Sequence, residues 1–291
     1  LSQLELILLE ELPYHYISLG DYHKIKEVIT EIGFCTKLMS EETSKLQLIT
    51  YFGEIDNPDA LIPTYKANLA AFEKQNKPYD SGLAYHSVGL IYFNIGRFIE
   101  VEYFYLNALK YFKKADKKKE TGKVLNDLGE IYYNYTDEIE GKLSALVKEI
   151  KSITKVKDRI WLSFRLLSFQ KKVRKYAKKA REYYIKAIKI RQNETPDDIR
   201  EIAESINNLG HAYLSLGKFE KSEEQYRAAL DIRKKLGDLD KDVAEGYYNL
   251  GMIRSFRHGI TSKEYKEAVA LIEKAIEIND KSRKDYGREH T

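Results

Sequence analysis

One motif returns along the chain and limits what it can fold into. YHSVGLIYFNIGRF (85–98), LNDLGEIYYNY (125–135), INNLGHAYLSLGKF (206–219) and YNLGMIRSF (248–256) superimpose on Gly89, Gly129, Gly210 and Gly251. These glycines lie 40, 81 and 41 residues apart, and each follows Val or Leu. Tyr92, Tyr132 and Tyr213 stand three residues after the first three, with Arg254 in the fourth. A second stretch follows each motif: YLNALKYF (105–112), YIKAIKI (184–190), YRAALDIRKK (226–235) and IEKAIEI (272–278), with Ala108, Ala187, Ala229 and Ala275 in register. Within every stretch, apolar and small residues recur at spacings of three and four, so each is one amphipathic helix. A fixed period of this length means stacked copies of one helical pair, each burying its apolar face on the next.

Glycine inside a helix costs about 1 kcal/mol relative to alanine, so its return at one phase implies that a neighbouring helix approaches the backbone there. Gly96 and Gly217 serve differently, since they follow a first helix, where a left-handed residue ends it and reverses the chain. Asp197 or Asp198 is expected to cap the helix that begins IREIAESINNLG, with Glu201 in its first turn.

The pattern resembles the tetratricopeptide repeat, whose period of about 34 residues is here lengthened. The longer unit is similar to that of kinesin light chains, most specifically over INNLGHAYLSLGKFEKSEEQYRAALDIRKKLGD (206–238). The resemblance implies an all-α fold, a right-handed superhelix (solenoid) of helical hairpins, over residues 58–281. TYKANLAAFEKQ (64–75) would be the second helix of an atypical capping unit, with Tyr65 in the place of Tyr105 and SKLQLITYF (44–52) as its first helix. Residues 1–57 read as a helical linker or cap and 282–291 as a polar tail. ELPYHYISLGDYHKIKEVITEIGF (11–34) followed by LQLITYF (46–52) resembles the segment that precedes the repeats in nephrocystin-type and other NACHT or STAND ATPases, through Glu11, Leu12, Pro13, Gly20, Asp21 and Phe34. That resemblance implies a nucleotide-binding switch domain upstream, since this sequence has no phosphate-cradling G-x-x-x-x-G-K-[ST] loop of its own.

One unit is interrupted. Tyr92 to Tyr105 and Tyr213 to Tyr226 each span 13 residues, but Tyr132 to Tyr184 spans 52, so about 39 residues, roughly 136–175, are inserted between paired helices. Two antiparallel helices can leave and return to one hairpin: Ile139, Leu143, Leu146, Val147, Ile150 and Ile153 supply one apolar face, and a second helix would run from about Asp158 into the native helix near Tyr176. The turn is expected near Thr154 and Lys155; one long helix with a returning loop is the alternative.

The insert is also basic. Residues 142–191 hold seventeen Lys and Arg against three Asp and Glu, while the flanking segments are acidic, which the net charge of +4 conceals. Lys171, Lys172, Arg174, Lys175, Lys178 and Lys179 follow an aromatic, apolar run. Such a segment can meet an acidic protein or an anionic membrane surface. The simpler reading is that these cations stay solvated while Trp161, Phe164, Leu167 and Phe169 pack the insert against the repeats. No specific nucleic-acid signature is present.

Cys35, the single cysteine, excludes an internal disulfide and fits a reducing, cytoplasmic setting. Acidic residues flank the early apolar run Leu6–Leu9, unlike a signal peptide, and no apolar run approaches a membrane-span length. A first residue of leucine suggests a fragment or a processed product. The six histidines lack metal spacing, so neither an enzyme nor a metal or other cofactor is expected. Asn134 and Asn193 match the glycosylation pattern by chance.

The expected function is a non-catalytic protein-interaction module, a scaffold or sensor region that takes a protein, peptide or helix in the groove lined by first helices. By resemblance to kinesin-type repeats, the groove residues are Asn126, Asn207, Asn208 and Asn249, with His211 and Tyr248 beside them. Departures from the pattern are His86, Ser87, Asp127 and Tyr248. An amide offers both donor and acceptor to an extended main chain. The alternatives are that these asparagines bridge neighbouring helices, or that the chain is an electrostatic adaptor acting through its basic insert.

Overall fold

The computed structural model describes residues 15, 16, 18–40, 49–53, 55, 57–152, 156–237, 241–257 and 262–289, and among these there is no strand. The chain divides into two compact units, residues 1–124 and 125–291.

The first unit contains α1 (Tyr22–Ile29), α2 (Ile32–Leu38), α3 (Ile62–Gln75), α4 (Pro78–Asn94), α5 (Val101–Lys114) and the first turns of α6 (Lys118–Ser152). Asp21 caps α1 by accepting from the Lys24 N–H, and Glu31 caps α2 by accepting from Gly33 and Phe34. The core is aromatic: Phe52, Tyr65, Tyr92 and Phe104 are buried, with Tyr65 and Tyr92 meeting edge to face at 5.9 Å between centroids. Their hydroxyls are satisfied, Tyr65 donating to the Ile29 carbonyl and Tyr92 to the Pro58 carbonyl. Tyr65 and Tyr105 are both buried. Gly20 has φ +69° and Phe34 is buried; Glu11, Leu12 and Pro13 lie outside the described residues. Cys35 is buried, and burial lifts its thiol to about 12, which leaves it a protonated core residue.

The second unit holds the rest of α6, then α7 (Val156–Glu194), α8 (Ile199–Ser215), α9 (Phe219–Lys234), α10 (Lys241–Arg257) and α11 (Lys263–Glu289). Each first helix packs its glycine on a side chain of its partner. A Cβ on Gly129 would come within 2.4 Å of the Tyr184 ring, and one on Gly210 within 2.6 Å of Tyr226; at Gly251, Ile272 takes the place of the ring. The same seat occurs in the first unit between Gly89 and Tyr105. Gly96 and Gly217 have φ of +73° and +69°, and the N–H of the next residue reaches back to Tyr92 and Tyr213 respectively, at 2.9 Å each. Asp116 (φ +52°) makes the corresponding reversal after α5 without glycine.

The insertion lengthens both helices of a native pair. α6 and α7 run without interruption through the boundary between repeat and insert, and they are antiparallel: Gly129 faces Tyr184, Tyr132 meets Lys179, and Tyr135 lies against Tyr176. The expected turn at Thr154 and Lys155 lies outside the described residues. Leu146 and Leu162 are buried in the distal part. Trp161, Phe164 and Leu167 are not packed against the repeats as expected but exposed, while Phe169 is half-buried. The polar stretch from 282 continues α11 to Glu289 rather than leaving it as a separate tail.

Candidate functional site

Three first helices of the second unit, α6, α8 and α10, place polar side chains together: Asn126 and Asn207, three residues before their glycines, and Asn249, two before its own, each meet the neighbouring first helix. All three amides are buried. Asn126 donates to Glu130 (2.9 Å) and accepts from the Ser205 hydroxyl (3.0 Å). Asn207 donates to Glu245 (2.9 Å) and accepts from Asn249 (3.0 Å), whose amide also reaches Glu245 at 3.2 Å. These asparagines therefore bridge neighbouring helices. Asn208 is half-buried and makes one long contact, 3.4 Å, to Glu130. His211 lies between the rings of Tyr133 and Tyr226, its Nδ1 is 2.9 Å from the Tyr226 hydroxyl, and burial lowers its pKa, keeping it neutral. Tyr248 is exposed.

Beyond the amides lies a cavity of about 320 Å³ lined by Glu130, Arg200, Glu204, Asn207, Asn208, Arg233, Asp242 and Glu245. Four of those side chains are carboxylates and two are guanidinium groups, so the cavity is acidic. Burial, and then the charges of Asp127 and Glu204, push Glu130 up to about 8; burial also raises Glu204, against the pull of Arg191. The carboxylates are crowded, and a cation entering the cavity would relieve that crowding.

Two arginines on second helices, absent from the sequence-based set, hold this wall together. Arg191 is buried and donates to the Glu201 carbonyl (2.7 Å) and to the Ser205 hydroxyl, with the carboxylates of Glu201 and Glu204 at 3.4 and 3.9 Å. Arg233, also buried, donates to the Asp242 carbonyl (2.8 Å) and to Glu245 (3.3 Å). They stand seven residues after Tyr184 and Tyr226, and a repeated Ile-Arg pair at 190–191 and 232–233 was the available signal.

Of the basic set, Lys171, Lys172, Arg174, Lys175 and Lys178 are exposed along α7. Lys179 differs: it turns inward, donates to the Tyr132 hydroxyl at 2.7 Å and lies 4.4 Å from the centre of that ring. Among the described residues no group of three or more His, Cys, Asp or Glu could hold a metal ion, and no helix is long and apolar enough to cross a membrane.

Residues 177–235 and 201–281 match the tetratricopeptide repeat family model. No curated protein matches the sequence. Among solved structures, BtubC (BKLC) from P. vanneervenii is 18% identical, with 96% of this chain and 88% of that one covered at a TM-score of 0.52. A Podosopora anserina protein with nearly identical TPR-like repeats is 13% identical over 96% of each chain, TM-score 0.45. The apo form of RapI is 18% identical over 70% of this chain and 72% of its own, TM-score 0.35. The likeness to BtubC is one of fold, stacked helical hairpins, which agrees with the all-α architecture above.

Proposed function

Taking residues 177–281 as tetratricopeptide repeats, we propose that the chain is a non-catalytic protein-interaction module whose first-helix groove receives a partner segment carrying basic side chains. The observation that carries this reading is the acidic cavity across α6, α8 and α10, where Asn208 keeps amide capacity unused while the charges of Asp127 and Glu204 bear on the buried Glu130. A lysine or arginine of the partner replaces the proton on Glu130 and relieves the repulsion, and the Asn208 amide serves the adjoining main chain. The buried asparagines shape the wall instead of contacting the ligand.

The test is to pan a random-peptide display library on the full chain and to measure the recovered peptides against Asn208→Ala and against Glu204→Lys. The expected outcome is enrichment of Lys and Arg, with affinity reduced about tenfold by either substitution, the loss of roughly one hydrogen bond, neutral at Asn208 and charge-assisted at Glu204. Peptides without basic residues, or affinities that neither substitution changes, remove the groove as the site.

A further inference from the structure

α7 has two opposed faces. Leu162, Val173, Ala177 and Ala180 are buried along one. Along the other, Ile160, Phe164, Leu167, Lys171, Lys175 and Lys178 follow at spacings of four, three, four, four and three, which makes them a single stripe. The stripe changes chemistry halfway. Its first part is apolar and open to water: Phe164 is 68% exposed, Ile160 54% and Leu167 51%, with Trp161 beside them at 62%. Its second part is cationic, with Lys172 and Arg174 flanking Lys171. Among the described residues none of Lys171, Lys172, Arg174, Lys175 and Lys178 is paired with a carboxylate. The Arg165 guanidinium lies over the rings of Trp161 and Phe169 at 5.7 and 5.6 Å, adding a cation at the apolar end.

Leaving Ile, Trp, Phe and Leu side by side in water is unfavourable, and such a patch marks a contact surface. Charge then selects what covers it. We infer that the outward face of α7, residues 160–178, docks on an anionic lipid bilayer. A helix with an apolar stretch and a cationic stretch on one face lies in the plane of an interface: Phe164, Leu167 and Trp161 enter the acyl boundary while the lysines meet headgroup phosphates. The opposite face is already buried, so docking needs no unfolding of the hairpin. An acidic protein would need a preformed apolar cleft shaped to Trp161 and Phe164, whereas a bilayer accepts a convex aromatic patch without one. The surface is separate from the groove, so each can fail without the other.

Trp161 is the only tryptophan in the sequence, which makes its emission a direct reporter of this patch. The full chain is titrated with vesicles of phosphatidylcholine alone and with vesicles containing about a third phosphatidylserine, at low and high salt. Expected are a blue shift with the anionic vesicles only, its loss at high salt, and binding weakened about fivefold for each lysine removed, hence about a hundredfold for Lys171→Ala/Lys175→Ala/Lys178→Ala. Phe164→Ser/Leu167→Ser should reduce binding by at least about tenfold while the lysines remain. Unchanged helical circular dichroism certifies the fold of each variant. No shift with anionic vesicles overturns the proposal, as does equal binding to phosphatidylcholine. A shift of the same size with polyglutamate in the absence of lipid assigns the face to an acidic macromolecule, and one that grows with protein concentration alone assigns it to a second copy; either result also overturns it.

Discussion

Two glycines of the same helix should respond to the same substitution with opposite signs. Gly129 and Gly141 both lie inside α6, and alanine at either gains about 1 kcal/mol of helix propensity. At Gly141 a Cβ meets nothing within 4 Å, so Gly141→Ala is expected to stabilise by that amount. At Gly129 the new carbon would sit 2.4, 2.6 and 2.9 Å from three carbons of the Tyr184 ring. Carbon atoms prefer about 3.5–4.0 Å, so the ring must retreat by more than about 1 Å. It cannot do so freely, since Tyr184 is 1% exposed and packed with Tyr132, Ala180, Leu209 and Ala212. Overpacking of this kind costs about 1–3 kcal/mol, and a buried ring belongs at the upper end. The net for Gly129→Ala is then a loss of about 2 kcal/mol. In urea, with a slope of about 3 kcal/mol/M, the midpoint should fall by about 0.7 M for Gly129→Ala and rise by about 0.3 M for Gly141→Ala. Adding Tyr184→Leu to Gly129→Ala should reveal a coupling above about 1 kcal/mol. If Gly129→Ala stabilises as Gly141→Ala does, the glycine seat is not what brings these helices together.

Two further outcomes concern the wall of the groove. Glu130 is held near 8, so between the ordinary carboxylate range and that value the unfolded chain has released a proton that the folded chain keeps; its contribution to stability falls as pH rises through that window. Glu130→Gln, uncharged throughout and still able to accept from Asn126, should match the wild type near about pH 5 and melt at a higher temperature near about pH 8.5; equal melting temperatures at both would refute the assignment. Arg191→Ala strips the Ser205 hydroxyl and the Glu201 carbonyl of their donor and leaves two carboxylates without their cation, so chemical denaturation should show a loss of about 2 kcal/mol.

The paired helices were legible because their signals are local: glycine phase, apolar spacing, and the left-handed residues Gly96 and Gly217. The arm was legible from length, since 52 residues between Tyr132 and Tyr184 leave room for two added helical stretches and a turn. Its outward face was not. α7 is apolar on more than one side between Ile160 and Phe169, and periodicity alone does not say which side is covered. Leu162 won that burial and Phe164 did not. Asn126, Asn207 and Asn249 stand on the helices expected of them, yet what their amides bind is set by Ser205 and Glu245, which lie 79 and 38 positions from Asn126 and Asn207. No local pattern announces such partners. Lys179 reads as one more cation in a basic run until Tyr132 is brought beneath it.

The uninterrupted course of α6 and α7 has a mechanical consequence. From Tyr135 to Ser152 the arm reaches about 25 Å at helical rise, and no joint separates it from the turn of α6 that bears Glu130. It is a strut and not a tether. A load applied at its far end is delivered as torque to the helix carrying Asn126 and Glu130, so whatever grips the tip also sets the attitude of the groove.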